Sequence, residues 1–358
     1  MLSVDTLAVV WHKAWPILLA VVFFGFIITS HELGHFSLAR LFKVKINEFA
    51  IGMGPAILKR KPKETQYSLR LFPIGGFVSM EGEDETSGDE RAFCNKPVWQ
   101  RFLIVCAGAV INILLGTILL AILICNQDLV GTNQIHSFAE GSQLEATGLK
   151  ARDKIIEING RYVFSDMDLS YLMFNDDDGV FEFTVKRNGE KVKLDGVKFT
   201  TVEKDGQQQI VYDMTILGVE KNVWTVTSCA VKQTVSVARL VWMSLGDLVS
   251  GKYGIKDVSG PIGTVGVIAD IADESVKHMD YSALINIMAF ISINIGVFNL
   301  LPIPALDGGR LFFMFIEMVF RKPIPAKYEN WVHAAGMILL LMFMAIVSFS
   351  DIFKLIKG

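Results

Sequence analysis

Four stretches of the chain are apolar for long enough to cross a bilayer: Ile17 to about Leu41, Phe102 to Ile124, Ser282 to Leu301 and Val332 to about Phe349. From about Asn126 to at least Asp213 the pattern changes to short alternating runs separated by turn residues, the mark of strands and small helices in water. The first apolar run meets no small-residue cleavage site. It passes Ser30 into His31-Glu32-Leu33-Gly34-His35 and stays apolar afterwards, so it reads as a span rather than a signal peptide. The third run ends in Asn299-Leu-Leu-Pro302-Ile-Pro304-Ala-Leu-Asp307-Gly308-Gly309, where two prolines break the helix and free backbone groups. Membranes tolerate such a break where the backbone lines a cavity or is buried in protein.

Other segments are shorter. Val44 to Met80 is strand-like, with Glu48 to Ile51, Tyr67 to Phe72 and Phe77-Val78 set among Gly52, Gly54-Pro55, Pro73 and Gly75-Gly76, and it is too apolar for an ordinary cytoplasmic loop. An acidic linker, Glu81 to Glu90, follows. In the soluble stretch Asn159-Gly160 is a two-residue hairpin signal, Ser165 to Phe174 reads as a helix with a serine cap, and Val180 to Leu194 makes a hairpin across Arg187-Asn-Gly-Glu190. Lys232, Arg239 and Asp247 interrupt Cys229 to Val249, which makes it an amphipathic helix, lying at the outer interface or packed under the soluble insert, rather than a span. Ser259-Gly-Pro-Ile-Gly263 reads as a tight turn back into the membrane.

Composition narrows the picture. A hydrophobic share of 51% in 358 residues describes a membrane protein with one soluble insert, and a net charge of −3 argues against a nucleic-acid partner. Cys94, Cys106, Cys125 and Cys229 have neither metal-site nor disulfide-framework spacing. Charge position carries more than net charge. Arg40, Lys43, Lys45, Lys59, Arg60, Lys61 and Lys63 follow the first span and Arg310, Arg321, Lys322 and Lys327 follow the third, which places both flanks in the cytoplasm. Four alternating spans then leave both termini outside.

The chemistry lies in two of the spans. On a helix, His31 and His35 stand one turn apart on one face, and Glu32 projects beside them: the H-E-x-x-H arrangement, with two metal ligands and a glutamate that takes a proton from water at the metal. From Pro16 to His31 is roughly 22 Å of helix rise, so the pair lies within a hydrocarbon layer about 30 Å thick, where ionisable groups are costly and usually functional. Asp307 is equally costly in the third span unless a divalent cation holds it. Two histidines, one carboxylate and a water complete an open tetrahedral zinc site.

These residues resemble the site-2 proteases, the intramembrane zinc metalloproteases of the M50 type, particularly those of bacterial regulated intramembrane proteolysis. Phe72-Pro-Ile-Gly-Gly-Phe-Val-Ser-Met80 is similar to that family's substrate-pairing edge strand, Gly108 and Asn112 to a Gly-Pro-x-x-Asn pattern in which this chain has Ala109 for the proline, and Leu306-Asp307-Gly308 to its third-ligand motif. Gly141 to Arg161 resembles part of a PDZ domain. The resemblance implies a polytopic α-helical membrane protein of four transmembrane helices, with a membrane-associated β-hairpin and one extracytoplasmic α+β PDZ domain. It divides into a first helix (1–42), a re-entrant β segment with its acidic loop (43–101), a second helix (102–125), the PDZ domain (126–215), an amphipathic connection (216–281), a third helix with an interfacial helix (282–320) and a fourth helix with a tail (321–358).

The implied site is one zinc on His31, His35 and Asp307 with Glu32 as base. Asn112, Asn299, Ile74, Gly75, Gly76, Phe77, Val78, Pro302 and Pro304 are the expected substrate-binding residues. The implied partners are the lipid bilayer and a single-pass membrane protein or peptide, such as an anti-sigma factor or a remnant signal peptide, with a site-1 protease acting upstream. The implied location is the bacterial inner membrane, with the active site toward the cytoplasm. The PDZ domain would either capture peptide ends or exclude substrates with bulky ectodomains. Two other classes compete: a membrane zinc-binding or transport protein, which needs a polar path that the second and fourth spans do not offer, and an inactive PDZ scaffold, which an intact Glu32 argues against.

Overall fold

Helix α1 (Val4–Leu41) begins the structure, a computed structural model that describes residues 4–83, 85–174, 179–204, 207–251, 260–322 and 324–357. Ser259 and Asp84, which belong to the Ser-Gly-Pro-Ile-Gly stretch and the acidic linker, lie outside the described residues, as does the side chain of Ile74. Among the described residues, four helices are long and apolar enough to cross a membrane, over Ala14–Leu41, Val98–Asn126, Ser282–Leu300 and Lys327–Lys354. They are α1, α2 (Val98–Asn126), α6 (Ser282–Leu300) and α8 (Ala326–Lys357), at the positions the hydrophobic pattern predicts. The chain forms two compact units, Met1–Gly116 with Val241–Gly358, and Thr117–Leu240.

In the first unit α1 leads into β1 (Ile46–Arg60) and β2 (Gln66–Met80), which form a long hairpin that folds back on itself. Glu48 to Ile51 pairs with Gly76 to Ser79 on one side and with Gln66 to Leu69 on the other, while Ala56 to Arg60 pairs with the Tyr67 to Arg70 segment. In the Glu48–Gln66 to Ile51–Leu69 pairing the residue numbers rise together, so two strands make a sheet of four segments. The bends fall at Gly52, Gly54 and Gly75, all at positive φ where a side chain would be strained. This sheet lies against the first span: a Cβ on Gly25 would come within 2.9 Å of the Pro73 carbonyl, and one on Gly76 within 3.3 Å of Glu32 Cγ. A shared core of Phe36, Phe49, Val78, Phe93, Ile104 and Leu311 ties α1, the sheet, α2 and α7 (Asp307–Phe320) together.

Close helix contacts are made through small residues, as lipid-embedded packing demands. A Cβ on Gly34 would strike the Ala107 carbonyl of α2 at 2.5 Å, and Gly116 and Gly296 play the same part between α2 and α6. Helix α2 runs unbroken through Ala109. The expected tight turn at Gly260 instead starts an 18-residue helix, α5 (Pro261–His278), with proline in its first turn. Asp351 of α8, only 3% exposed, accepts the N–H groups of Gly260 (3.2 Å) and Gly263 (2.8 Å), and any Cβ on Gly260 would strike its carboxylate. The motif is therefore glycine-rich because a buried carboxylate caps this helix from another span.

The second unit is a sheet ordered β10-β3-β4-β6-β7, with β5 paired to β4. Its strands are β3 (Val130–Phe138), β4 (Lys154–Ile158), β5 (Arg161–Tyr162), β6 (Val180–Arg187), β7 (Glu190–Lys198) and β10 (Met214–Val219); β8 (Thr201–Lys204) and β9 (Gln207–Ile210) form a separate ribbon. Both Asn-Gly pairs turn as predicted: Ile158 faces Arg161 and Arg187 faces Glu190, with all four turn residues at positive φ. Helix α3 (Asp166–Phe174) begins where expected; Asp168 in its first turn accepts the Phe164 and Ser165 N–H groups, and the Ser165 hydroxyl lies 3.2 Å from that of Ser236. Within this unit β10 runs to Val219, and α4 (Val223–Val249) contributes Ser236 and Arg239 to Asp168. Burial pushes the Cys229 thiol up to about 11, which keeps it protonated.

Candidate active site

His31 and His35 are placed by helical spacing alone: their rings meet edge to face with centroids 4.7 Å apart, and both side chains are buried. Asp307 arrives from far along the chain, as the first residue of α7 (Asp307–Phe320), after α6 has ended at Leu300 and the Pro302-Pro304 segment has reversed the backbone. That reversal is tightly specified. Gly308 is obligatory, since a Cβ there would lie 1.8 Å from the Leu301 carbonyl, and Ala305 is held at φ +80 with its N–H donated to His333 Nδ1 of α8 at 3.1 Å.

The result is a triangle of ligand atoms. His31 Nε2 lies 3.0 Å from Asp307 Oδ2 and 3.1 Å from His35 Nε2, which is 3.2 Å from the same oxygen. A tetrahedron around a metal with ligands at about 2.0–2.1 Å has edges of about 3.3 Å, so the donors fit zinc in identity, number and spacing. Gly108 of α2 keeps this space open: a Cβ there would lie 2.4 Å from His35 Nε2 and 2.7 Å from His31 Nε2. Behind the ligands, His35 Nδ1 sits 2.9 Å from the Ile104 carbonyl, which fixes that ring with Nε2 toward the site.

Glu32, His31, His35 and Asp307 line one cavity of about 1030 Å³, with Phe77 and Val78 of β2 in its wall. Two ion pairs, Glu83 with Arg310 and Arg101 with Glu317 (2.8 Å), make another part of that wall polar. Of the expected substrate-binding residues, Phe77 and Val78 reach the cavity and Gly76 stands against Glu32, with Gly75 forming the preceding bend. The structure does not place Asn112 there: it is fully buried, with Nδ2 3.4 Å from His31 Nδ1. Asn299 donates to the Ile295 carbonyl of its own helix at 3.0 Å, and Pro302 and Pro304 shape the reversal. His333 was missed, although an ionisable residue in an otherwise apolar span is itself a signal. Arg101, Glu83 and Arg310 were missed as wall residues because their pairing spans the fold.

Comparison with known proteins agrees with this geometry. The model of peptidase family M50 matches residues 19–343. A Clostridium acetobutylicum protein named as a presumed zinc metalloprotease is 37% identical over 340 residues, covering 94% of this chain and 97% of its own. The regulator of sigma-W protease RasP of Bacillus subtilis is 30% identical over 421 residues, covering 94% and 97%. The zinc metalloprotease RasP of Bacillus licheniformis is 30% identical over 419 residues, covering 94% and 98%. With a candidate metal-binding group of His31, His35 and Asp307 and, among the described residues, four helices long and apolar enough to cross a membrane, the chain belongs to peptidase family M50, as a zinc metalloprotease of the site-2 type.

Proposed function

We propose that this protease cuts membrane-spanning segments of other proteins, with zinc held by His31 and His35 through Nε2 and by Asp307 through Oδ2, and with Glu32 as its base. The observation that carries this reading is the meeting of His31 with Asp307, 276 residues apart, at a point about 15 Å of helix rise inside the first span from Leu41. Zinc, when bound, polarises a water molecule and the scissile carbonyl. Glu32 would take a proton of that water on its carboxylate as the water oxygen bonds to the scissile carbonyl carbon, and would return it to the departing amine nitrogen as the C–N bond breaks. The polar cavity wall admits water to this depth.

Substrate recognition follows from the sheet. Among the described residues, Gly76 to Met80 pairs only with the Ile46 to Ile51 segment, and its other edge has no strand partner. An unwound substrate laid along that edge gains backbone hydrogen bonds and runs past Gly76 directly beside Glu32. A transmembrane helix satisfies its own backbone, so this pairing also compensates the unwinding that cleavage needs. The basic flanks after the first and third spans put the site toward the cytoplasm, both termini outside, and the second unit on the outer side as a PDZ domain. RasP is named for its regulation of a sigma factor. The reading for this chain is likewise a membrane-bound regulator, such as an anti-sigma factor, or a remnant signal peptide, with a site-1 protease acting first.

The test is cleavage of a single-pass peptide by the purified chain in liposomes. Fragment masses should place the cut within the membrane-spanning segment, and Glu32→Gln should lower the fragment yield by about 10²–10⁴-fold. Cuts confined to water-exposed flanks, or zinc flux across the liposome without cleavage, would overturn the reading.

A further inference from the structure

Two histidines serve the metal, and their outer nitrogens are held differently. His35 Nδ1 faces a backbone carbonyl, which only accepts, so Nδ1 carries the hydrogen and Nε2 has its lone pair free for a cation. His31 must take the same tautomer to ligate through Nε2, and its Nδ1 meets the side-chain amide of Asn112 at 3.4 Å. The Asn112 Oδ1 is buried with no hydrogen-bond partner among the described residues. An amide is nearly symmetric in shape, so half a turn exchanges Oδ1 for Nδ2 without moving the backbone. It then offers His31 an acceptor.

We propose that Asn112 is a positioning residue for the zinc ligand His31, accepting its Nδ1–H through Oδ1 and so holding the ring with Nε2 toward the metal. The inference rests on the assignment of His31 as a ligand. Its support is local and geometric. Asn112 is 0% exposed, and its own carbonyl accepts the Ser292 hydroxyl of α6 at 2.8 Å, which fixes its place on α2. Gly108, one turn earlier on the same face, leaves room for the ligand atoms. The Gly-x-x-x-Asn spacing thus gives α2 two tasks at one site: a gap for the metal and an acceptor behind one ligand.

The orientation of the amide makes the proposal testable with near-isosteric variants. Aspartate at 112 keeps an acceptor and loses the donor; leucine loses both. Zinc affinity is measured on detergent-purified protein by competition with a chelator, with folding followed by thermal melting and His31→Ala as the control. Asn112→Leu should weaken zinc binding by about 10–100-fold, the usual cost of removing a partner behind a metal ligand, whereas Asn112→Asp should bind at least as tightly as the native chain. Tenfold or greater weakening in Asn112→Asp overturns the proposal even if Asn112→Leu fails to fold. So does unchanged affinity in a folded Asn112→Leu protein. Native zinc affinity in His31→Ala would overturn the ligand assignment and this proposal together, while zinc loss in His31→Ala with no change in Asn112→Leu overturns this proposal alone.

Discussion

The two units bury carboxylates in opposite ways. In the second unit Asp153 and Asp168, at 1% and 0% exposed, each face an arginine: Arg187 at 2.6 Å and Arg239 at 2.7 Å. In the first unit Asp307 faces two imidazoles and Asp351 faces two backbone N–H groups, and among the described residues no lysine or arginine pairs with either. A carboxylate matched by a guanidinium is electrically complete and serves as a clamp. One matched by a helix N-terminus is held by partial charge and caps that helix. One set against two imidazole nitrogens, in a cavity with a glutamate beside it, matches the donor set that holds a zinc ion. The environment of the carboxylate, more than its burial, separates the clamping and capping aspartates from the candidate metal ligand here.

That contrast is broken most severely at the base. Glu32→Gln should lower cleavage by about 10²–10⁴-fold with zinc content unchanged, read by fragment analysis and metal analysis of the same preparation. Removing a clamp should do the reverse. Asp168→Ala removes the carboxylate that pairs with half-buried Arg239 and accepts the Phe164 and Ser165 N–H groups, and should cost about 3–5 kcal/mol of stability in the second unit, seen as a lower denaturation midpoint, with zinc content untouched. Asp351→Ala leaves the α5 N-terminus uncapped and should cost about 1–3 kcal/mol, and Asp351→Asn, which keeps an acceptor, should cost less; hydrogen exchange at Gly263 would report both. The smallest effect is expected at Gly76. A methyl there comes within 2.9 Å of the Ala50 carbonyl, so Gly76→Ala should slow cleavage by about tenfold, equivalent to about 1.4 kcal/mol, again with zinc retained. A Gly76→Ala protein that loses zinc would mean that the sheet supports the metal rather than the substrate.

What was legible in the sequence was local. Helical spacing brings His31 to His35, length and apolarity delimit four spans, and Asn159-Gly160 and Asn188-Gly189 set two hairpins through their own backbone preferences. Asp307 was legible for a different reason: a carboxylate in a proline-broken span needs a partner, and the histidines supply the rest of one. What was hidden depends on contacts between distant elements. The doubling back of β1 and β2 follows from which side of Glu48 to Ile51 each half of β2 occupies, and strand propensity does not encode that. Gly260-Pro-Ile-Gly263 carries turn chemistry, and only Asp351, across the unit in α8, makes it a helix start. Asn112 was visible as a polar residue in a span, but its target was not, because either a substrate backbone or an imidazole satisfies an amide.

The central claim is that a single zinc is held jointly by the first span and by the helix that follows the third. Metal analysis of purified Asp307→Asn protein beside the native chain tests it most directly, since asparagine keeps the shape of the side chain and removes its charge. One tightly held zinc per native chain is expected, with its loss, or release to a mild chelator, in a variant that still melts cooperatively. A folded Asp307→Asn protein that retains zinc at native stoichiometry and affinity would contradict it.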